Sequence, residues 1–345
     1  MKKGTVSRII AAALFTVAML AGTVGCNSSN NKPIVVVWYP NESAGDYESS
    51  RKEFGRLIEQ ATGRKVEHTL TSDYVIAIEA LASGKADIGA VMGALGYIEA
   101  KNKNSQVDVL FVNSGASGTL TDAIYYSWLC VNAEDANLYK DASGNYSIAN
   151  LPGKTMSFVS NSSTSGFKVP TTGIMDYFKH TEPWKNINID DLLGLSSKSF
   201  FGEVLFGGSH QGSAFNLLSG KADIAAFCDI ELDIYVDLKT GQENRVGAVY
   251  AVKNNATAPF NTVAGKEFVV IASTPVLNGP YAYNPKNLSA DEVRKIRDLF
   301  TSNETANNQK FFYPPDSGQV GFYKKTSNER YLVVDDAWYN PIREM

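Results

Sequence analysis

Ala82-Ser83-Gly84-Lys85-Ala86-Asp87-Ile88-Gly89-Ala90 recurs in the same chain as Leu218-Ser219-Gly220-Lys221-Ala222-Asp223-Ile224-Ala225-Ala226. From Gly84 to Gly220 is 136 positions, far beyond solenoid periods and suited to two lobes of similar build. Each copy follows a helical pattern, with Val75, Ile78 and Ala82 in the first and Ala214, Leu217 and Leu218 in the second. The glycine then falls just past the helix end, where left-handed backbone is comfortable only without a Cβ. Ala-Asp-Ile followed by two small residues opens a buried strand. The spacing predicts one helix–turn–strand unit used twice.

The echo aligns polar residues as well. Tyr74 stands ten residues before Gly84, and His210 stands ten before Gly220. Asp73 and Ser209, one position earlier, read as N-caps. If the lobes face each other, Tyr74 and His210 mark helix starts aimed into one cleft; the local alternative makes each an incidental neighbour of its cap.

Strand and helix patterns alternate around these units. Ile34 to Trp38 and Val107 to Val112 read as strands, and Glu48 to Ala61 as a helix with Phe54, Leu57, Ile58 and Ala61 on one face. Tyr126 to Asn132 and Phe268 to Ser273 are β-prone stretches suited to carry the chain between lobes. Leu288 to Phe300 and the segment around Glu304 to Phe312 read as closing helices. The predicted class is α/β, two hinge-linked lobes with mainly parallel sheets. Lobe 1 would take residues 34–130 plus 268–345, and lobe 2 residues 131–267.

One stretch carries chemistry. Asn161-Ser162-Ser163-Thr164-Ser165-Gly166-Phe167 follows a β-like run, Thr155 to Val159, and precedes a helical reading from Gly173 to Lys179. Hydroxyls and free backbone N–H groups at a helix start can seat a tetrahedral oxyanion, and Gly166 permits close approach. The plainer reading is a Ser/Thr-rich turn with an N-cap.

Residues 1–26 have the build of a bacterial export leader: basic Lys2, Lys3 and Arg8, an apolar core from Ile9 to Leu20, and Gly25-Cys26 at its end. A cysteine there implies a lipoprotein with Cys26 acylated, although Thr23 stands where leucine is usual. Residues 27–33 would be a polar tether. Without the leader's three basic residues, the 32 Lys and Arg become 29 against 36 Asp and Glu, a charge of −7. That balance argues against nucleic acid and anionic lipid as main partners. An anionic ligand would need local donors, which the hydroxyl cluster offers. Cys130 and Cys228 each sit in apolar runs and read as buried free thiols. No cysteine or histidine spacing suggests a metal site, and no cofactor is predicted.

Together these residues resemble the substrate-binding proteins of phosphonate, phosphite and phosphate ABC importers, through nearly the whole mature chain. The landmarks are Asp73-Tyr74, Gly84-Lys85-Ala86-Asp87-Ile88, Tyr125-Tyr126-Ser127, Ser163-Thr164-Ser165-Gly166-Phe167 with Val169-Pro170, Gly208-Ser209-His210 and Ser273-Thr274-Pro275. The resemblance implies a two-lobed, type II periplasmic-binding-protein fold that closes on its ligand, without catalysis. It implies that Ser163, Thr164 and Ser165 donate to the phosphorus-bound oxygens, with Tyr125, Tyr74 and His210 as further ligand contacts. It also implies an ABC permease as partner, a lipid anchor facing the periplasm or cell exterior, and a monomer. Two departures stand out. Ile230 and Gly279 fall where members binding an aminoalkyl phosphonate place acids, with Asp229, Glu231 and Asn278 as substitutes beside them. Met92-Gly93-Ala94-Leu95-Gly96-Tyr97 replaces a common Gly-Pro loop. Both lean away from an aminoalkyl phosphonate.

Alternatives from other classes stay open at this point. The chain's 17 Tyr, 17 Phe and 4 Trp could stack on the ring of a phosphorylated cofactor such as thiamine pyrophosphate. A sensory receptor would use the same fold. Ser163 or Ser209 with His210 could be imagined as a hydrolase, but no Gly-x-Ser-x-Gly elbow is present.

Overall fold

The computed structural model describes residues 32–42, 45–315 and 317–345. The leader, Cys26 and nearly all of the tether lie outside the described residues.

The strands in chain order are β1 (Ile34–Trp38), β2 (Val66–Leu70), β3 (Ile88–Ala90), β4 (Asp108–Asn113), β5 (Ile124–Asn132), β6 (Thr155–Phe158), β7 (Glu203–Phe206), β8 (Ile224–Cys228), β9 (Val236–Thr240), β10 (Val249–Val252), β11 (Glu267–Leu277), β12 (Tyr281–Tyr283), β13 (Phe312–Tyr313), β14 (Tyr323–Lys324) and β15 (Tyr331–Leu332). They form a first sheet in the order β15-β4-β12-β3-β1-β2, a second in the order β7-β6-β8-β5-β11-β10-β9, and a small β13–β14 pair. The helices are α1 (Glu48–Thr62), α2 (Tyr74–Ser83), α3 (Ala94–Lys103), α4 (Val169–Phe178), α5 (Ile189–Leu192), α6 (His210–Leu218), α7 (Ala290–Phe300), α8 (Asn303–Ala306) and α9 (Asn340–Arg343). This is an α/β, two-lobed type II architecture.

The predicted parallel character holds for strand direction but not for pairing. β1, β2, β3 and β4 run one way, and β12 is wedged antiparallel between β3 and β4. In the second sheet β6, β7 and β8 are parallel, whereas β5 and β10 run against both of their neighbours. Both sheets are therefore mixed. β12 and β5 enter their sheets near the middle, which makes antiparallel pairs on either side, and β10 and β15 add antiparallel pairs toward the edges. The predicted crossing stretches become β5 and β11, paired along their length in the middle of the second sheet.

Both copies of the repeated unit fold as their spacing requires. Asp73 Oδ1 accepts from Val75 N at 2.7 Å and Ser209 Oγ from Gly212 N at 3.0 Å, so α2 and α6 are side-chain capped. Gly84 (φ 72°) and Gly220 (φ 77°) end them in left-handed geometry. β3 and β8 follow, fully buried. Helix α1 buries Phe54, Leu57 and Ile58, and Phe54 meets Trp38 edge-on at 5.3 Å.

The closing helix expected around Glu304 to Phe312 is a single turn, α8. Phe311 and Phe312 leave it to join an aromatic cluster, with Phe311 stacked on Phe322 at 6.1 Å and Phe312 meeting Tyr331 edge-on at 4.9 Å. Pro314 and Pro315 also bar a longer helix. Tertiary burial of rings outweighs the local pattern here.

Candidate functional site

The carboxyl ends of β1, β3, β6 and β8 converge on one cavity of about 40 Å³, lined mostly by buried side chains. Residues just past those ends supply most of its wall: Tyr39, Asn41 and Glu42 after β1, Val91 and Gly93 after β3, Ser163 to Ser165 after β6, and Cys228, Ile230 and Glu231 at and after β8. Ligand sites of open α/β sheets lie at such strand ends because connections there leave a crevice.

The hydroxyl stretch is itself the first turn of a helix, earlier than the reading from Gly173 placed it. Residues Thr164–Lys168 wind as a π-type turn, with Lys168 N donating to Ser163 O at 3.1 Å, and run straight into α4. A π-turn spaces its first N–H groups more widely than an α-turn, and such turns recur at functional sites. Ser163 Oγ accepts from Gly166 N at 3.1 Å, which leaves its hydroxyl proton to be donated. Thr164 Oγ1 accepts from Leu95 N at 2.9 Å, joining this turn to the start of α3. The Ser165 hydroxyl is buried beside the Tyr125 phenol and makes no hydrogen bond of normal length among the described residues. Ser127 Oγ anchors the turn from β5 by donating to Ser165 O at 2.6 Å.

His210 opens α6 with its imidazole held in one tautomer. Its Nδ1 accepts from Cys228 N at 3.0 Å, so the neutral ring carries its proton on Nε2. Burial pushes its pKa down to about 3, and the ring stays neutral at ordinary pH. Asn41 ties the two helix starts together: its Oδ1 accepts from His210 N at 3.1 Å, and its Nδ2 donates to the Tyr74 hydroxyl at 2.9 Å.

Gly93 and Gly279 mark close approaches that no side chain would allow. A Cβ on Gly93 would sit 2.9 Å from Thr164 Oγ1, and one on Gly279 would sit 2.3 Å from Met92 O.

The structure brings six of the eight anticipated contact residues to this cavity: Tyr74, Tyr125, Ser163, Thr164, Ser165 and His210. Asp229 and Asn278 do not line it. Asp229 Oδ1 accepts from Tyr126 N at 2.8 Å, and burial raises its carboxyl to about 7. Asn278 donates from Nδ2 to Asn113 O at 2.8 Å and accepts from the Tyr339 hydroxyl at 3.0 Å. Asn278 fastens the segment that connects the sheets after β11, and Asp229 ties the end of β8 to β5. The neighbouring Glu231, with Glu42, is what reaches the cavity. Asn41 and Glu42 went unread in the sequence because no motif surrounds them; their position just after a buried parallel strand was the available signal.

Residues 36–337 match the family described as ABC transporter, phosphonate, periplasmic substrate-binding protein. The chain is 27% identical over 276 residues to the phosphate-import protein PhnD of Mycolicibacterium smegmatis, covering 72% of this chain and 77% of that protein. Its fold is similar to that of a binding protein component of an ABC phosphonate transporter from Pseudomonas aeruginosa, with a TM-score of 0.61 at 21% identity, over 91% of this chain and 85% of that one. It is also similar to PhnD1 from Prochlorococcus marinus in complex with methylphosphonate, with a TM-score of 0.58 at 16% identity, over 91% and 97% of the two chains. Relatives in this family are substrate-binding transport proteins rather than enzymes, and among the described residues no helix is long and apolar enough to cross a membrane. The match over 36–337 takes in nearly all of both sheets and every residue of the cavity wall, and with it this chain belongs to the family of periplasmic substrate-binding proteins of phosphonate ABC transporters.

Proposed function

We propose that this protein captures a small phosphorus oxyanion (a phosphonate, phosphite or phosphate) in the cavity between its two lobes and delivers it to an ABC permease. The observation that carries this reading is the buried turn Ser163-Thr164-Ser165 facing His210 and Tyr125 across one cavity. Ser163, Thr164 and Ser165 would donate hydroxyl and backbone hydrogen bonds to the phosphorus-bound oxygens. His210 would add its Nε2 proton and Tyr125 its phenol, with Tyr74 set behind Asn41. Hydrogen bonds to a charged group contribute roughly 1.5–3 kcal/mol each, so several suffice for submicromolar binding without a cation. The names of the relatives support the ligand class.

Cys26 would carry the lipid that holds the protein at the membrane, facing the periplasm or cell exterior, and the chain would act as a monomer. The hinge would lie where the chain passes between the sheets, near residue 123 and near residues 278–280, rather than at the expected boundaries after residues 130 and 267, because β5 and β11 pair along their length within the second sheet and would move with the second lobe. Ligand would arrive with the lobes apart, and closure would exclude water and strengthen each hydrogen bond.

Calorimetric titration of the protein with phosphite, methylphosphonate, phosphate and aminoethylphosphonate tests the reading. Binding of at least one is expected; silence toward all four overturns it. Replacing Ser163, Thr164 and Ser165 together by alanine should weaken that binding by about a thousandfold or more, with the unfolding transition still cooperative. Thiamine pyrophosphate taken up in place of all four would move the protein to the cofactor-binding alternative.

A further inference from the structure

The cavity wall opposite the hydroxyl turn is acidic, which is unexpected for a site that takes an anion. Glu42 and Glu231 both line it and are 2% and 7% exposed. Glu231 Oε2 accepts from Gln211 Nε2 at 3.2 Å. Among the described residues, neither carboxyl oxygen of Glu42 makes a hydrogen bond of normal length, and no lysine or arginine lines the cavity.

Two carboxylates that face each other in a water-poor wall do not both ionise easily. Burial pushes Glu42 well above the usual carboxylate range, and the charge of Glu231 pushes it further. Burial raises Glu231 as well. A dianionic ligand would bring two more negative charges against this pair with no cation to offset them, at a large desolvation cost. The arrangement with least buried charge places a proton between a ligand oxygen and the carboxyl pair.

Resting on the oxyanion reading above, we propose that the cavity binds its phosphorus oxyanion together with one proton taken from solution, beyond the one the Glu42–Glu231 pair already shares at rest, and holds it between a ligand oxygen and that pair. The captured species is then the monoprotonated acid rather than the dianion. Donors on one wall read the oxygens, and an acceptor on the other reads the P–OH. Ligands that lack a titrating P–OH, such as sulfate, are selected against.

The groups around the pair leave this assignment intact. Arg51 of α1 donates to the Glu42 carbonyl oxygen, and its charge works against the rise of Glu42. Asp233 is paired with Lys324 at 2.6 Å. His210 is neutral, and burial holds the Cys228 thiol in its protonated form. The phenols of Tyr39, Tyr47 and Tyr74 are raised by burial and stay uncharged. Those of Tyr235, Tyr313 and Tyr323 behave likewise. Asp229 is the neighbour lifted to about 7, and its contribution is common to the wild type and the variants below.

The test is calorimetry of the full chain in detergent, with methylphosphonate as probe, in buffers of different ionisation enthalpy above the ligand's second pKa. The expected result is uptake of about one proton per ligand bound, with affinity falling about tenfold per pH unit. Glu42→Gln with Glu231→Gln should abolish most of that uptake and flatten the pH profile, because amides donate to a dianion without a proton. Binding without proton uptake in the wild type, or uptake unchanged in the double variant, overturns the proposal while leaving the oxyanion reading in place. Proton release with tighter binding of aminoethylphosphonate also overturns it, since the wall would then read an amine. No binding of methylphosphonate, phosphite or phosphate overturns both. The wild-type proton count needs no variant to fold.

Discussion

Helices α2 and α6 begin alike and end alike, yet the residue that opens each is held in opposite ways. Tyr74 sends its hydroxyl to Asn41, so its polar atom is engaged within the wall. His210 turns Nδ1 back onto the N–H of Cys228 in its own sheet, which frees Nε2–H as a donor. The backbone unit is the same in both copies: a capped helix, a left-handed glycine and a buried strand. The duplicated part fixes where a side chain starts, and the partner it meets decides what remains to offer a ligand.

The comparison can be broken most severely at His210. His210→Ala should weaken oxyanion binding by about a hundredfold, since a donor is lost and the Cys228 N–H is left buried without an acceptor. Calorimetry with methylphosphonate measures it. Tyr74→Phe keeps the buried ring and loses one neutral hydrogen bond, so about tenfold or less is expected in the same assay. Equal losses in the two variants would mean that the two helix starts play equivalent roles.

Acid should separate the copies further. An unfolded imidazole takes up its proton near the ordinary 6.5, whereas the folded His210 resists until about 3. Between those values the unfolded chain binds more protons, so stability falls as pH is lowered, by up to about 1.4 kcal/mol per pH unit. His210→Gln should remove this part of the slope in urea unfolding followed from about pH 7 to about pH 4.5, and Tyr74→Phe should leave it unchanged. The smallest expected effects are at the helix ends. Gly220→Ala should cost about 1 kcal/mol from backbone strain alone, as the space around it is open. Gly84→Ala should cost somewhat more, because a Cβ would meet Lys286 Cδ at 2.6 Å. Denaturant midpoints check both.

Much of this was legible in the chain. The echo around Gly84 and Gly220 carries helix, cap, turn and strand in nine residues, all of them local signals. Tyr74 and His210 followed from counting back along those helices. The parts that were not legible are long-range. Asn41 reaches residues 33 and 169 positions away. Glu42 meets Glu231 only after both sheets are in place, and the choice of Glu231 over Asp229 turns on two residues of position past β8. The expected helix through Phe312 failed for a related reason, since the rings of Phe311 and Phe312 are claimed by partners downstream. The π-turn at Thr164 has no sequence period of its own to announce it.

Asn41 has a consequence for the time course of capture. Its amide bridges Tyr74 of the first lobe and the backbone of His210 in the second, and it touches both while standing in the cavity wall. On the proposed reading, a bound guest would wait for that bridge to open before it could escape. Asn41 would thereby set residence time: weakening it should quicken departure more than it slows arrival, and should hand the cargo over sooner.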